Sequence, residues 1–429
     1  MTKKDILELK RRFTKNECTF TKMCGCYVNA HKEIVVTFDE TFLNLADEEF
    51  YKYLEIAKKT LSGTLGNNLL ELEFPLAEEN AGGRQQFLMG LKSSELKNEE
   101  LLNNFYQLII DSYDYVGNFL ILLFHDAYDV IAKTSDNAKL DESEEVYDYL
   151  LCSICPVALS KPGLGYREDE NRIGARIRDW VVGVPENGFL FPAFSDRSSD
   201  IHSVLYYTRN AKDSHPELME SGLGCGSKQT ATEKKETFRA IVHNAVGDEE
   251  KSEDIFMEIQ EGLNTMLETQ EEVNGKSAAP ILLKKENIQE LMNTIEIPEE
   301  VTAKIEQSFE ENFGDVPPEA EFLLDTKALA ANTEKKEKQT LQKEVASLKQ
   351  KLEEQTILAG FPDMDTGNDT EVENSDEELP PVKTYDVILR VKPQKVEQIK
   401  SQIIDGKKCL VIPMEEDEHA NVNGVNTIV

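Results

Sequence analysis

The chain is poor in tryptophan, histidine and long apolar runs. It holds one tryptophan, six histidines and seven cysteines in 429 residues. The longest apolar stretch, Phe119–Phe124, is far shorter than the roughly 20 residues a helix needs to span a bilayer, so no membrane association is expected. The opening Met-Thr-Lys-Lys-Asp leads straight into a helical pattern without an apolar h-region, which argues against a secretory signal and for a cytoplasmic location. An odd number of cysteines in such a chain reads as reduced thiols, not as a disulfide framework. Positive charge is the other deficit: 47 Lys+Arg stand against 81 Asp+Glu, a net charge of −34. Residues 1–210 carry 23 and 34 (net −11), and residues 211–429 carry 24 and 47 (net −23). Phosphate backbones repel such a chain at long range, so direct nucleic-acid binding is not expected. The basic cluster Lys10-Arg11-Arg12 beside Phe13 reads as the solvated face of a first helix.

Hydrophobic residues make up 40% of the chain, and a chain of this length buries a core without disulfide or metal staples. Ile6, Leu9 and Phe13 mark a short amphipathic helix. Cys18–Val28 and Glu33–Phe38 read as a hairpin across the turn-prone Asn29–Lys32. Phe50, Leu54, Ala57 and Leu61 mark a helix that stops near Gly63, and Leu101, Phe105, Leu108 and Ile109 mark another. Asn118–Phe124 reads as a strand buried on both faces, and Val146–Val157 as a second helix-to-strand pattern. Phe189–Phe194 and Val204–Thr208 read as paired strands. The expected fold class is α+β, with residues 1–210 as a mixed α/β domain. Residues 211–235, with several glycines and no periodicity, read as a flexible loop or linker. Apolar stripes on Ile255–Met266, Ile288–Ile295 and Val301–Phe313 give a small helical domain over 236–330. Residues 331–382 hold a short coiled-coil-like helix, with Leu341, Val345, Leu348 and Leu352 in 4-3-4 spacing, then an acidic linker expected to be disordered. Residues 383–429 read as a small β-α-β-β unit: a strand over Tyr385–Val391, a helix carrying Val396, Ile399 and Ile403, and strands over Lys408–Met414 and Gly424–Val429.

No motif specifies a reaction. Cys152-x-x-Cys155, with Cys18, Cys24 and Cys26 as further thiols, has the ligand types of a zinc or iron–sulfur site. A strand, however, sends residues three apart to opposite faces, so core thiols are expected, with no metal and no cofactor. His125-Asp126 with Asp129 falls at the exit of the predicted buried strand, where α/β sheets bind ligands; it can hold a metal, or act as base and orienter. The plain alternative is a polar strand exit with a helix cap. Ser195–Ser203 concentrates polar groups between two apolar strands. There Asp200 and His202 share a face if extended, and Asp196 and Arg197 are candidate ligand-binding residues, Arg197 as a carboxylate or phosphate clamp. The plain alternative is a loop knitted by side-chain hydrogen bonds. Gly222–Lys228 fails as a phosphate loop and Asp363–Asp369 as a calcium loop. Trp180 reads as core or domain-interface packing.

Cys24-Gly-Cys-Tyr-Val28, Leu61-Ser-Gly-Thr-Leu-Gly66, His125-Asp-Ala-Tyr-Asp129, Cys152-Ser-Ile-Cys-Pro-Val157, Phe189-Leu-Phe-Pro-Ala-Phe-Ser-Asp-Arg197 and Ile404-Asp-Gly-Lys-Lys-Cys-Leu-Val-Ile-Pro413 with Val422-Asn-Gly424 follow one another in an order that resembles the bacterial, chiefly clostridial, family labelled domain of unknown function 4317. The resemblance covers residues 1–330 and 383–429; residues 334–380 read as a lineage-specific insertion. It implies a cytoplasmic bacterial protein and carries no catalytic residues across.

The first functional reading is a non-enzymatic interaction or regulatory protein with a protein partner, self-association being left open. The alternative is a metal-dependent hydrolase or phosphoesterase using His125, Asp126 and Asp129 with Asp196, Arg197, Asp200 and His202, if these meet in one pocket. A second alternative is acidic mimicry of nucleic acid. Residues 361–381 hold eight carboxylates and no Lys or Arg, too little apolar surface to fold. Limited proteolysis should therefore cut first within 361–381 and leave a protected C-terminal fragment. Cleavage scattered through 383–429 before that tract is touched would contradict this organisation.

Overall fold

The computed structural model describes residues 1–133, 139–274, 280–295, 297–358, 399–404, 407–411, 419–422 and 425–428. The chain divides into two compact units, Met1–Gln350 and Lys351–Val429.

In chain order, the first unit opens with helix α1 (Lys3–Arg12), strands β1 (Phe20–Val28) and β2 (Ile34–Glu40), helix α2 (Asp47–Thr60), strand β3 (Leu69–Glu73) and helices α3 (Arg84–Ser93) and α4 (Glu99–Ser112). Two long strands follow, β4 (Asn118–Lys133) and β5 (Lys139–Leu159). Then come β6 (Leu164–Arg167), β7 (Arg172–Ala175), β8 (Trp180–Val182), β9 (Asn187–Phe191), β10 (Ala193–Ser195), β11 (Ser198–Asp200) and β12 (Ser203–Thr208). The remaining helices are α5 (Ala231–Val246), α6 (Glu249–Asn274), α7 (Lys285–Thr294), α8 (Glu299–Phe313), α9 (Ala320–Leu323) and α10 (Thr326–Leu358).

One sheet organises the unit. Its order is β2-β1-β4-β5-β9-β12-β3, with β8 extending it beside the end of β5, and every pairing is antiparallel. The fold is α+β. Strand residues are apolar at consecutive positions because both faces are covered. Cys24, Ile121, Leu123, Cys152, Phe189 and Tyr206 face α3 and α4, meeting Leu91, Phe105, Ile109 and Tyr113. Met23, Leu122, Phe124, Leu151, Leu190 and Leu205 face α1 and α2, meeting Leu9, Phe13, Leu54 and Ala57. A Cβ on Gly25 would lie 2.1 Å from the Phe38 ring, so glycine there lets β2 lay that ring across β1. Helix α1 starts with a Thr2–Asp5 capping box and ends on Lys10, Arg11 and Arg12, charges that suit the two ends of its dipole. Helices α5 to α9 enclose a third apolar cluster, including Phe238, Phe256, Ile259, Leu263, Ile288, Ile305 and Phe309.

Several expectations change. Val146–Val157 is strand throughout, part of the 21-residue β5, because its partners on both sides outweigh local helical preference. Residues 211–235 are not a loose connection. A π-helical turn at Leu218–Gly222 buries Leu218, Met219, Leu223 and Cys225 in the core under α4, and α5 starts at Ala231. The segment is tied down by polar contacts: Tyr206 donates to the Ser214 carbonyl (2.8 Å), Asn187 Nδ2 donates to the Tyr206 hydroxyl (2.9 Å), and Tyr113 donates to Asn187 Oδ1 (2.8 Å). Trp180 lies not in a core but on β8, 55% exposed.

In α10, Leu341, Val345 and Leu348 are exposed. The second unit contains β13 (Lys400–Ile404) paired with β14 (Lys407–Val411), and β15 (His419–Val422) paired with β16 (Val425–Ile428), both antiparallel. The helix expected through Ile403 gives way to strand. Ile404 pairs with Lys407 across the ribbon, and the β-branched pair Ile403-Ile404 suits a pleated strand. The acidic tract 361–381 and the strand expected over Tyr385–Val391 lie outside the described residues. Among the described residues, no helix is long and apolar enough to cross a membrane.

Candidate functional site

β4 does not end at His125 but runs on to Lys133, and the sheet is antiparallel. The strand-exit and α/β-edge arguments for His125 therefore lose their premise. Successive residues on a strand project to opposite faces, so His125 and Asp126 enter different surroundings.

His125 points to the α3 side and is 3% exposed. Its Nε2 lies 2.8 Å from Asp148 Oδ1, and its Nδ1 lies 2.7 Å from Thr21 Oγ1. A carboxylate only accepts, so Nε2 carries a proton toward Asp148, while the Thr21 hydroxyl lies within reach of both Nδ1 and the His125 carbonyl oxygen (3.3 Å). Lys92 on α3 donates to Asp148 Oδ2 at 2.9 Å. Burial alone would raise the Asp148 carboxyl, but hydrogen bonds from His125 and Lys92, with their charges, together hold it below the ordinary carboxylate value. Thr21 is placed by a bulge: Phe20 faces Asp126 and Lys22 faces His125, leaving Thr21 as the extra residue in β1. Bulges re-aim side chains in this way. The result is a hydroxyl–imidazole–carboxylate chain with its hydroxyl on an exposed residue. Neither Thr21 nor Asp148 was flagged by the sequence, because their link to His125 depends on the register of three strands.

Asp126 points to the α1 side and is 1% exposed. The Tyr149 hydroxyl donates to its Oδ2 at 2.7 Å, while its Oδ1 is buried without a hydrogen-bond partner, as are Arg12 Nε and the Tyr128 hydroxyl. Arg12 stacks on the Tyr128 ring, its guanidinium carbon 3.7 Å from the ring centre, and donates to Thr19 at 2.8 Å. The basic residue expected to face solvent is thus half-buried. Burial raises the Asp126 pKa above 3.8, while the nearby Thr19 and Tyr149 hydroxyls and the Arg12 charge pull the other way.

The other candidates fall elsewhere. Asp129 is exposed on β4. Asp196 and Arg197 form the tip of the β10–β11 hairpin, both at positive φ (48° and 64°), as a two-residue hairpin turn requires. Arg197 does clamp a carboxylate, but an internal one: Glu8 on α1, at 2.8 Å. Asp200 accepts from the His202 backbone N–H (3.1 Å), and the exposed His202 ring meets Glu79 at 2.7 Å. His125 and His202 therefore have separate carboxylate partners and form no single constellation. Cys24, Cys26 and Cys152 lie on the α3–α4 face, Cys18 and Cys155 on the other. Burial pushes the thiols of Cys18 and Cys24 up to about 11 and that of Cys26 to about 12, so they remain protonated and poorly suited to nucleophilic work. Among the described residues, no group of three or more His, Cys, Asp or Glu side chains is arranged to hold a metal.

A family model described as "Domain of unknown function (DUF4317)" matches residues 1–425, a span that runs across residues 334–380. No curated protein matches the chain.

The buried carboxyl gives a pH test. A folded-state pKa raised above the unfolded one means that the folded state holds the proton more tightly. Stability contributed by Asp126 then falls as pH rises from about 4 through the raised value. Relative to Asp126→Asn, wild-type protein should lose stability across this window in urea unfolding; parallel curves for the two proteins would refute it.

Proposed function

Starting from a chain that belongs to the DUF4317 family, we propose that it acts as a non-enzymatic protein-interaction module whose binding surface is the arm formed by β6, β7 and β8. One observation carries this reading: the arm exposes several large apolar side chains close together in the chain. Leu164 (78%), Ile177 (73%), Ile173 (63%) and Tyr166 (60%) accompany Trp180 and Val181. Monomeric proteins rarely expose such patches without a partner for them. The β6–β7 hairpin is a two-stranded sheet of its own, with Tyr166 opposite Ile173. Arg167 and Arg178 stiffen the arm by donating to the carbonyls of Ala175 (2.9 Å) and Ser160 (2.6 Å). Beside β8 runs a groove of about 510 Å³ against α2, lined by Tyr53, Ile56, Val182 and Val184 with Glu and Lys at its rim.

Aromatic residues and arginine are enriched at interface centres, and the arm offers Trp180, Tyr166 and four arginines, Arg167, Arg172, Arg176 and Arg178. The arm carries five Lys or Arg and four Asp or Glu within 160–184, close to neutral in a strongly acidic chain. Its aliphatics favour a protein over nucleic acid. Full-length protein isolated from its own cells should bring down a stoichiometric partner. The double variant Ile173→Ser/Trp180→Ser should lose about tenfold or more of it with thermal unfolding unchanged. Equal recovery with both proteins, or none with either, would reject the arm as the binding surface.

A second reading, enzymatic, is favoured by the Thr21–His125–Asp148 chain. The imidazole draws the Thr21 proton while Asp148 orients the ring, the division of labour of hydrolase triads. An acyl- or phosphonyl-transferring probe should then modify Thr21 in wild type and Thr21→Ser, but not in His125→Asn. An unmodified wild type removes this reading.

A further inference from the structure

The two edges of the large sheet differ. At one edge, β3 carries Glu71 and Glu73, which meet the N-terminal ammonium and Lys228 (3.4 Å). Charged side chains of this kind protect an edge against pairing with another chain. At the other edge, β2 pairs with β1 alone among the described residues, and its core, Ile34-Val-Val-Thr-Phe38, is uncharged. Ile34, Val35 and Val36 are 42%, 56% and 50% exposed. Adjacent strand residues point to opposite faces, so apolar surface is open on both sides of this edge. Neither proline nor lysine interrupts the strand.

We propose that β2 is a self-association edge whose occupant is β2 of a second copy, added antiparallel about a two-fold axis so that the two sheets become continuous. A two-fold axis perpendicular to the sheet makes a strand meet itself antiparallel and keeps each face on its own side. The charges then fall favourably. Lys32, in the turn before β2, comes toward the partner's Asp39–Glu40 end. Asp39 is partly neutralised by Lys22 at 2.9 Å. Glu33, the charge that would oppose this arrangement, is engaged by Asn29 Nδ2 at 2.9 Å. β-branched residues face one another across the new seam, the pairing that sheets favour. The opposing force is the net charge of −34 on each copy, so association tightens as salt rises and screens it.

Sedimentation of the full chain tests this. Wild type should run at twice the chain mass, with the dimer strengthened by salt. Val35→Lys should run as a monomer with an unchanged unfolding midpoint, and Val35→Thr should remain dimeric. In a Cys409→Ser background, Val35→Cys should form an intermolecular disulfide under mild oxidation; the other six thiols are buried. A monomeric wild type, or a dimer that survives Val35→Lys, would overturn the proposal. So would a dimer dissolved by Trp180→Ser, which would move the contact to the arm.

Discussion

The antiparallel pairing of β4 with β5 is the constraint from which the rest of the first unit follows. The ladder runs from Asn118 opposite Val157 to Lys133 opposite Lys139. Over most of its length both faces are covered by helices, so each residue's surroundings depend on whether its position is odd or even. A slip of one residue would exchange the two faces, moving Leu123 and Cys152 from under α4 to α1 and α2. No such exchange can be absorbed in a packed interior, and the register is held at every apolar pair. β1 on one side and β9 on the other extend the same alternation outward.

The polar groups inherit that parity. His125 and Asp126 are neighbours in sequence and lie on opposite sides of a sheet, so they cannot act as one pair. Each instead recruits partners through space. His125 finds Asp148 on β5, Lys92 on α3 and Thr21 on the bulge of β1. Asp126 finds Tyr149 on β5 and lies near Arg12 of α1. Buried polar atoms need partners, and here those partners come from three or four elements. The Arg12–Asp126–Tyr128 cluster keeps one unpartnered buried atom on each residue, each at the cost of desolvating a polar group.

Away from the helices, the alternation of buried and exposed positions gives way to apolar residues open to solvent. β2 forms one edge of the sheet with Ile34, Val35 and Val36 exposed, and β6 and β7 form a separate hairpin beyond the end of β5, where β8 adds a short exposed strand. In both places, residues with strong strand preference stand in water, where burial would be worth about 25 cal/mol per Å². The internal groups that resemble chemistry are separated and engaged with one another, while these outer surfaces lack a counterpart among the described residues.

Much of the architecture was legible in the residues themselves. Apolar runs and period-3.6 patterns marked α1, the β1–β2 hairpin, α2, α4, β4, the β9–β12 pair and the three stripes of the helical cluster, because each element carries the apolar surface it buries. The opposite-face placement of Cys152 and Cys155 also follows from local geometry alone. Other features depended on neighbours distant in sequence. β5 is strand where it looked partly helical, since two flanking strands supply its hydrogen bonds. The glycine-rich segment around Leu218–Cys225 is core, since a pocket under α4 accepts it. Thr21 and Asp148 join His125 only through a bulge and a register that no local pattern encodes. Trp180 is exposed because β8 is a three-residue strand at the margin of the sheet, and composition cannot tell a margin from a core. The sequence determined which segments are strand or helix wherever one face had to be buried. Only the tertiary structure decided which polar residues meet and which apolar ones stay outside, because both are set by contacts between segments far apart in the chain.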